Sequence, residues 1–340
     1  MKYLIIGPSW VGDMVMAQSL FMLLKQQDLQ AEIDVLAPAW SRPIVARMPE
    51  VSGMLDMPVG HGKVGLGERF RLGKGLRERS YDQAIVLPNS LKSALIPWWA
   101  RIPRRTGWRG EMRYGLLNDL RVLDKAALPL MVQRFDALAL PAGARLPEKL
   151  PDPRLKIDTA NQAAALKRLG LGLDRPVLAL CPGAEFGEAK RWPENHYAAL
   201  AQQRIAQGAQ VWLFGSAKDH PVGEQIRGLL PAALRDQCLN LAGQTSLADA
   251  VDLLALAEAV VSNDSGLMHV AAALARPLVV LYGSTSPGFT PPLADQVRIL
   301  RLGLDCSPCF QRECPLGHLK CLRDLAPERA NAALDELLRA

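Results

Sequence analysis

The chain has 340 residues, six of them cysteine, with 49% hydrophobic and 22% charged residues. That length fits two ordinary domains, and that composition excludes a disordered chain and a disulfide-built miniprotein. The net charge of +6 is uneven: residues 1–150 carry 21 Lys and Arg against 14 Asp and Glu, and residues 151–340 carry 19 against 20. The first half is therefore the one suited to an anionic partner.

The opening Met1–Gly12 stretch meets Asp13 too soon for a secretory leader, and the longest uncharged stretch, Pro277–Ala294, is interrupted by Pro and Gly. The expectation is a cytoplasmic protein with reduced thiols. In chain order, Lys2–Gly7 reads as a buried strand and Gly12–Lys25 as a helix with Val15, Leu20, Leu23 and Leu24 on its apolar side. Glu32–Leu36 and Gln83–Leu87 follow as strands. Pro141–Asp158, with four prolines, has linker composition. The rhythm then resumes: strand Val177–Cys181, a helix from Glu194, strand Gln210–Gly215, a helix after Asp219, strand Cys238–Leu241 and a helix from Ser246. Strand Ala259–Ser262, a helix from Gly266, strand Leu278–Tyr282 and a terminal amphipathic helix, Pro327–Ala340, complete it. This alternation predicts an α/β chain of two Rossmann-like domains, 1–150 and 151–326. Their parallel sheets would face across a cleft, with ligands at the carboxyl ends of the strands.

Several strand-end loops carry chemistry. Gly7-Pro-Ser-Trp-Val-Gly12-Asp13 has a carboxylate where a phosphate loop needs lysine. Asp13 reads either as a first-turn anion worth roughly 0.3–1 kcal/mol or as a general base. At Asp264-Ser265-Gly266-Leu267-Met268-His269 a helix opens. The backbone N–H groups of Ser265, Gly266 and Leu267 would form an anion site, with Asp264 on sugar hydroxyls. The plainer reading is a helix cap with a packed histidine. Lys190-Arg191-Trp192-Pro193 places two cations where they would neutralise a diphosphate leaving group without metal, or else a solvated pair beside a buried Trp. The loop carrying Lys218 and Asp219 is suited to a nucleoside, and Thr245 precedes a helix capped by Ser246.

In the basic half, Lys92, Arg101, Arg104, Arg105, Arg109 and Arg113 are interleaved with Trp98, Trp99 and Trp108. Arginine forks suit phosphate, and aromatics suit sugar faces or a headgroup interface. The alternative is a solvated face over core tryptophans. No nucleic-acid motif accompanies the cluster, so nucleic acid ranks low as a partner. Cys306, Cys309, Cys314 and Cys321 contain a single close pair, so packed or reduced thiols are favoured over zinc.

Together, Gly12-Asp13-Met14, Lys190-Arg191-Trp192-Pro193 and Asp264–His269 resemble, in order and spacing over nearly the whole chain, the ADP-heptose:lipopolysaccharide heptosyltransferases, glycosyltransferase family 9. The resemblance implies a GT-B fold, with acceptor on the first domain and ADP-heptose on the second. It implies inverting transfer of L-glycero-D-manno-heptose to the first heptose of the inner core, with no required cofactor or metal. Asp13 would be the base, and Lys190 with the Ser265–Leu267 backbone would hold the diphosphate. Asp264 and His269 would lie at the donor sugar and phosphates and Thr245 near adenine, with Arg191 and Lys218 also on the donor side. Lys92 matches an acceptor-side lysine, joined by Arg104, Arg105 and Arg109. Glu185 and Lys218 depart from the pattern of a related branch, which leaves Asp219 as a ribose candidate. The implied acceptor is a phosphorylated lipid A–core glycolipid, met by peripheral contact with the cytoplasmic face of the inner membrane. In GT-B proteins a terminal helix such as Pro327–Ala340 often packs back on the first domain. A sugar-nucleotide epimerase on the same scaffold and a non-catalytic two-domain binding protein are the competing expectations.

Overall fold

The computed structural model describes residues 1–60 and 62–339. They form two compact units, Met1–Arg154 and a second that begins at Leu155. The first unit holds strands β1 (Lys2–Ile6), β2 (Glu32–Ala37), β3 (Gly53–Asp56), β4 (Gln83–Val86), β5 (Arg104–Trp108) and β6 (Asp119–Arg121), ordered β3-β2-β1-β4-β5-β6. The second holds β7 (Val177–Cys181), β8 (Gln210–Leu213), β9 (Cys238–Asn240), β10 (Ala259–Asn263), β11 (Leu278–Leu281) and β12 (Val297–Leu300), ordered β12-β11-β10-β7-β8-β9. All neighbouring strands pair in parallel. Each sheet starts at its middle, winds to one edge, then crosses to the other side. The seams β1/β4 and β7/β10 are therefore switch points, where successive connections diverge and open a crevice at the carboxyl ends.

The central strands are apolar along their length because both faces are covered. Leu4, Ile5, Ala84, Ile85, Val260 and Val261 are all fully buried. The helix Val11–Gln27 is buried almost all round from Met14 to Leu24. It packs on helix Met131–Ala139, where Ser19 Oγ donates to Asp136 Oδ2 at 2.8 Å inside the contact. Burial pushes the Asp136 carboxyl up to about 8, opposed by the Ser19 bond.

The units divide between Arg154 and Leu155, so the proline-rich segment is shared between them. Gln18 clasps the Arg154 backbone through bonds of 2.7 and 2.9 Å, whereas the Leu155 N–H bonds to Ala273 O. The terminal helix Pro327–Arg339 belongs to the second unit. It lies against β11, β12 and the helix Glu194–Ala206 of the second. Its apolar side, Ala330, Ala333, Leu334 and Leu337, closes the same core as Leu178, Leu200 and Val279.

Candidate active site

In the second unit the loops after β7, β10 and β11 converge on one charged pair. Lys190 Nζ lies 2.7 Å from Asp264 Oδ2 and 3.3 Å from the Asp264 carbonyl, with the two side chains only 14% and 5% exposed. Thr285 Oγ1 donates to the same carboxylate oxygen at 2.5 Å. The Lys190 ammonium also stands 5.0 Å from the centre of the Phe186 ring, and Arg312 approaches that ring at 5.6 Å. Helix Gly266–Ala273 starts immediately beyond, with Ser265 as an extended N-cap whose side chain makes no capping bond. Its leading amides are thus oriented as an anion site. His269 is buried in the next turn. Burial lowers its pKa to about 4, against a raising influence from Asp264 and with a lowering one from Lys190, so the ring is neutral at physiological pH.

Asn263, at the end of β10, holds this arrangement in register. Its amide donates to Pro182 O at 2.7 Å, and its carbonyl accepts from Trp192 N at 3.1 Å and the Tyr197 hydroxyl at 3.0 Å. Both ends of the Pro182–Pro193 loop are thereby fastened to the central strand. Trp192 itself is buried, with Nε1 donating to Leu325 O. The tail segment braces the loop from outside: Arg312 O accepts from Ala189 N at 3.0 Å, and a Cβ at Gly187 would collide with that same oxygen. All six cysteines are free thiols. Among the described residues, no set of three His, Cys, Asp or Glu is grouped to hold a metal ion.

The other donor-side candidates lie on the loops after β7, β8 and β9 and are otherwise engaged. Arg191 pairs with Glu188 of its own loop at 2.9 Å. Lys218 pairs with Glu185 at 2.8 Å in solvent. Asp219, the ribose candidate, closes the loop after β8 by accepting from Ser216 N and Oγ at 2.8 and 2.7 Å. Glycines at 183 and 215 leave room for that carboxylate. Thr245 follows β9, with Oγ1 3.5 Å from Leu241 O.

In the first unit, Asp13 is half-buried in the first turn of its helix, directly after β1. Lys92 occupies the first turn of helix Leu91–Trp99 after β4, with Nζ 3.3 Å from Lys63 O. Arg109 follows β5 on the same carboxyl edge, its backbone tied to Arg121 O. Arg104 and Arg105 do not join them. They start β5 in register with Gln83 and Ala84 at the amino end of β4. Arg104 pairs with Asp119 at 3.2 Å, and Arg105 donates to Leu116 O and Ile102 O at 2.6 Å each. Clustering in sequence hid a strand that rises roughly 3.3 Å per residue between Arg105 and Arg109 and so separates the two groups across the sheet.

Arg113, also in that cluster, is a scaffold. It is 1% exposed and donates to Pro88 O at 2.6 Å and to Trp108 O, joining the loops after β4 and β5. Burial lowers its pKa to about 10, with Glu111 opposing. Glu111 in turn accepts from Leu91 N at 2.7 Å, at the start of the helix that carries Lys92. Asn263, Thr285, Arg312 and Glu111 left no local signal in the sequence, because each acts through partners distant along the chain.

Known proteins match the chain along nearly its whole length. The family model for glycosyltransferase family 9 (heptosyltransferase) matches residues 69–320. The chain is 54% identical over 343 residues to lipopolysaccharide heptosyltransferase 2 of Salmonella typhimurium, covering 99% of each chain. It is 54% identical over 348 residues to lipooligosaccharide heptosyltransferase 2 of Haemophilus influenzae, again covering 99% of each. The solved structure of E. coli ADP-heptose LPS heptosyltransferase II superposes with a TM-score of 0.91 at 52% identity, covering 100% of this chain and 99% of that one. E. coli heptosyltransferase WaaC with ADP shares the fold, with a TM-score of 0.72 at 22% identity over 99% of this chain and 100% of that one. The two-unit α/β architecture is thus of the GT-B type seen in these enzymes.

Proposed function

Because the chain belongs to glycosyltransferase family 9, the heptosyltransferases, we propose that it transfers heptose from ADP-heptose to the first heptose of the phosphorylated lipopolysaccharide inner core, with inversion at the anomeric carbon. The observation that carries this reading is the Lys190–Asp264–Thr285 group beside the open start of helix Gly266–Ala273. A buried cation and oriented amides are what a departing diphosphate requires. The relatives named as heptosyltransferases match along the whole chain.

In this mechanism Asp13 accepts the proton of an acceptor hydroxyl as that oxygen attacks the anomeric carbon. The carbon–oxygen bond to ADP breaks on the opposite face. Lys190 turns from Asp264 to the diphosphate, and the amides at Ser265–Leu267 share the developing charge. His269, held neutral, contributes hydrogen bonds and no charge. Thr245 borders the adenine, while Lys218 and Arg191 reach the donor only by leaving Glu185 and Glu188. Lys92 and Arg109 face the acceptor phosphates. Since protein cations and amides neutralise the leaving group, the reading invokes no metal or cofactor. The enzyme works as a peripheral protein at the cytoplasmic face of the inner membrane, and no described helix is long and apolar enough to cross it.

The test is incubation with ADP-heptose and mono-heptosylated, truncated acceptor, with mass detection of one added heptose. Asp13→Asn is expected to retain ADP-heptose binding and to lose turnover by about 10²–10⁴-fold. Near-normal turnover in that variant removes Asp13 from the base role.

A further inference from the structure

Helices Leu66–Gly75 and Leu91–Trp99 of the first unit pack closely, because Gly73 lacks a Cβ that would lie 2.8 Å from Ile96 O and from Trp99 Cβ. Their outer side is unusually apolar. Val64, Leu66, Phe70 and Trp98 are 55%, 56%, 44% and 44% exposed. Phe70 meets Trp99 edge-on at 5.5 Å, and Trp98 meets Trp99 at 6.1 Å, so the two exposed rings flank a shared third. Single exposed apolar side chains are ordinary, but a joined aromatic and aliphatic group on a monomer marks an interaction surface.

Its rim is cationic. Glu68 is the only acid in 57–77, a stretch that holds Lys63, Arg69, Arg71, Lys74 and Arg77, and 91–110 contains no acid at all. Lys63, Arg71, Lys74 and Arg101 are exposed. Arg69 is instead buried and fixes the patch: its Nε donates to Val64 O at 2.7 Å and its Nη1 to Lys92 O at 3.5 Å. The apolar turn at Val64 is thereby anchored to the first turn of the helix that bears Lys92.

We propose that this face docks the protein on an anionic lipid bilayer. Aromatic rings flanked by basic side chains match the boundary between acyl chains and negatively charged headgroups. A second copy of the chain fits poorly, since a symmetric contact would set one basic rim against another. The proposal extends the acceptor reading above, from which it takes its purpose: a bilayer seated here presents its headgroups beside Lys92. Binding to lipid is nevertheless measurable without donor or acceptor, so the two readings fail separately.

The experiment is co-sedimentation of the full chain with vesicles of phosphatidylethanolamine and phosphatidylglycerol, compared with phosphatidylcholine vesicles. The expected result is binding to the anionic vesicles alone, weakening as salt rises. Phe70→Ser with Trp98→Ser should cut the partition coefficient on the order of tenfold or more. Arg71→Gln with Lys74→Gln, both exposed and outside the core, should cut it roughly fivefold per charge removed. Both double variants should retain wild-type turnover on a deacylated, water-soluble acceptor, which shows that they fold. A blue-shifted emission component on anionic vesicles that disappears in Trp98→Phe would place that ring at the interface. Equal binding to both vesicle types, or double variants that partition like wild type, would overturn the proposal. So would a concentration-dependent dimer that the variants abolish, with no lipid-dependent sedimentation.

Discussion

Replacing Asp136 by Asn should change how stability depends on pH, in a direction and size set by one buried carboxyl. Asp136 is fully enclosed between helices Val11–Gln27 and Met131–Ala139. Ser19 is the hydrogen-bond partner of Oδ2, and Oδ1 has none. Burial raises its pKa from 3.8 to about 8. Between those values the folded chain keeps a proton that the unfolded chain releases. The stabilisation is therefore complete below the unfolded pKa and is lost as pH rises towards the folded one, by about 1.4 kcal/mol per pH unit. Asn keeps an acceptor for Ser19 and does not titrate. Its own cost is the same at every pH, so the stability difference between Asp136→Asn and wild type should rise by about 3 kcal/mol from ~pH 5 to ~pH 7 in favour of the variant. Urea unfolding of both proteins across that window measures it, and other titrating groups cancel in the difference. A difference flat in pH would show that Asp136 is ionised in the folded state and would refute the argument. The site is of functional interest because the helix it pins carries Asp13 in its first turn.

Lys190→Ala should lower turnover by about 10²–10³-fold and weaken ADP-heptose binding, measured by single-turnover kinetics and calorimetry; an unchanged donor response would reject its role. Asn263→Ala should cost about 2–4 kcal/mol in urea unfolding, because it strips partners from Trp192 N and the Tyr197 hydroxyl, both buried. Lys92→Ala should raise the KM for acceptor, whereas Arg104→Ala, at the amino end of β5, should leave it unchanged. Equal effects of those two substitutions would contradict the placement of the acceptor at the carboxyl edge.

The middle of each sheet was legible because strands covered on both faces are written as short apolar runs. Val177–Cys181 has the bounds read from the sequence, and β1, β2, β4, β8, β9, β10 and β11 differ by one or two residues at an end. Strands β3, β5, β6 and β12 were not legible. Arg104-Arg105-Thr106 and Asp119-Leu120-Arg121 owe their extended form to pairing, and Gln83, Thr106 and Asp119 link their polar side chains across β4, β5 and β6. The candidate loops were legible from their positions after strands, where Asp13, Lys190 and Asp264 lie. What each side chain touches was not: the salt bridge between Lys190 and Asp264 joins residues 74 apart. The terminal helix declared its amphipathicity but not its partner, since Leu334 and Leu337 suit any apolar surface and only the tertiary fold selects β11 and β12.

The pairing of Lys190 with Asp264 has a consequence for the donor role proposed above. The Lys190 cation is already neutralised by a carboxylate at 2.7 Å that a threonine hydroxyl also grips. An incoming anion must displace that internal rival before it gains the lysine. An uncharged nucleoside is a poor competitor, whereas the negatively charged diphosphate of a nucleotide sugar competes for the cation. On the proposed reading, the built-in rival sets a threshold that an uncharged solute does not pass.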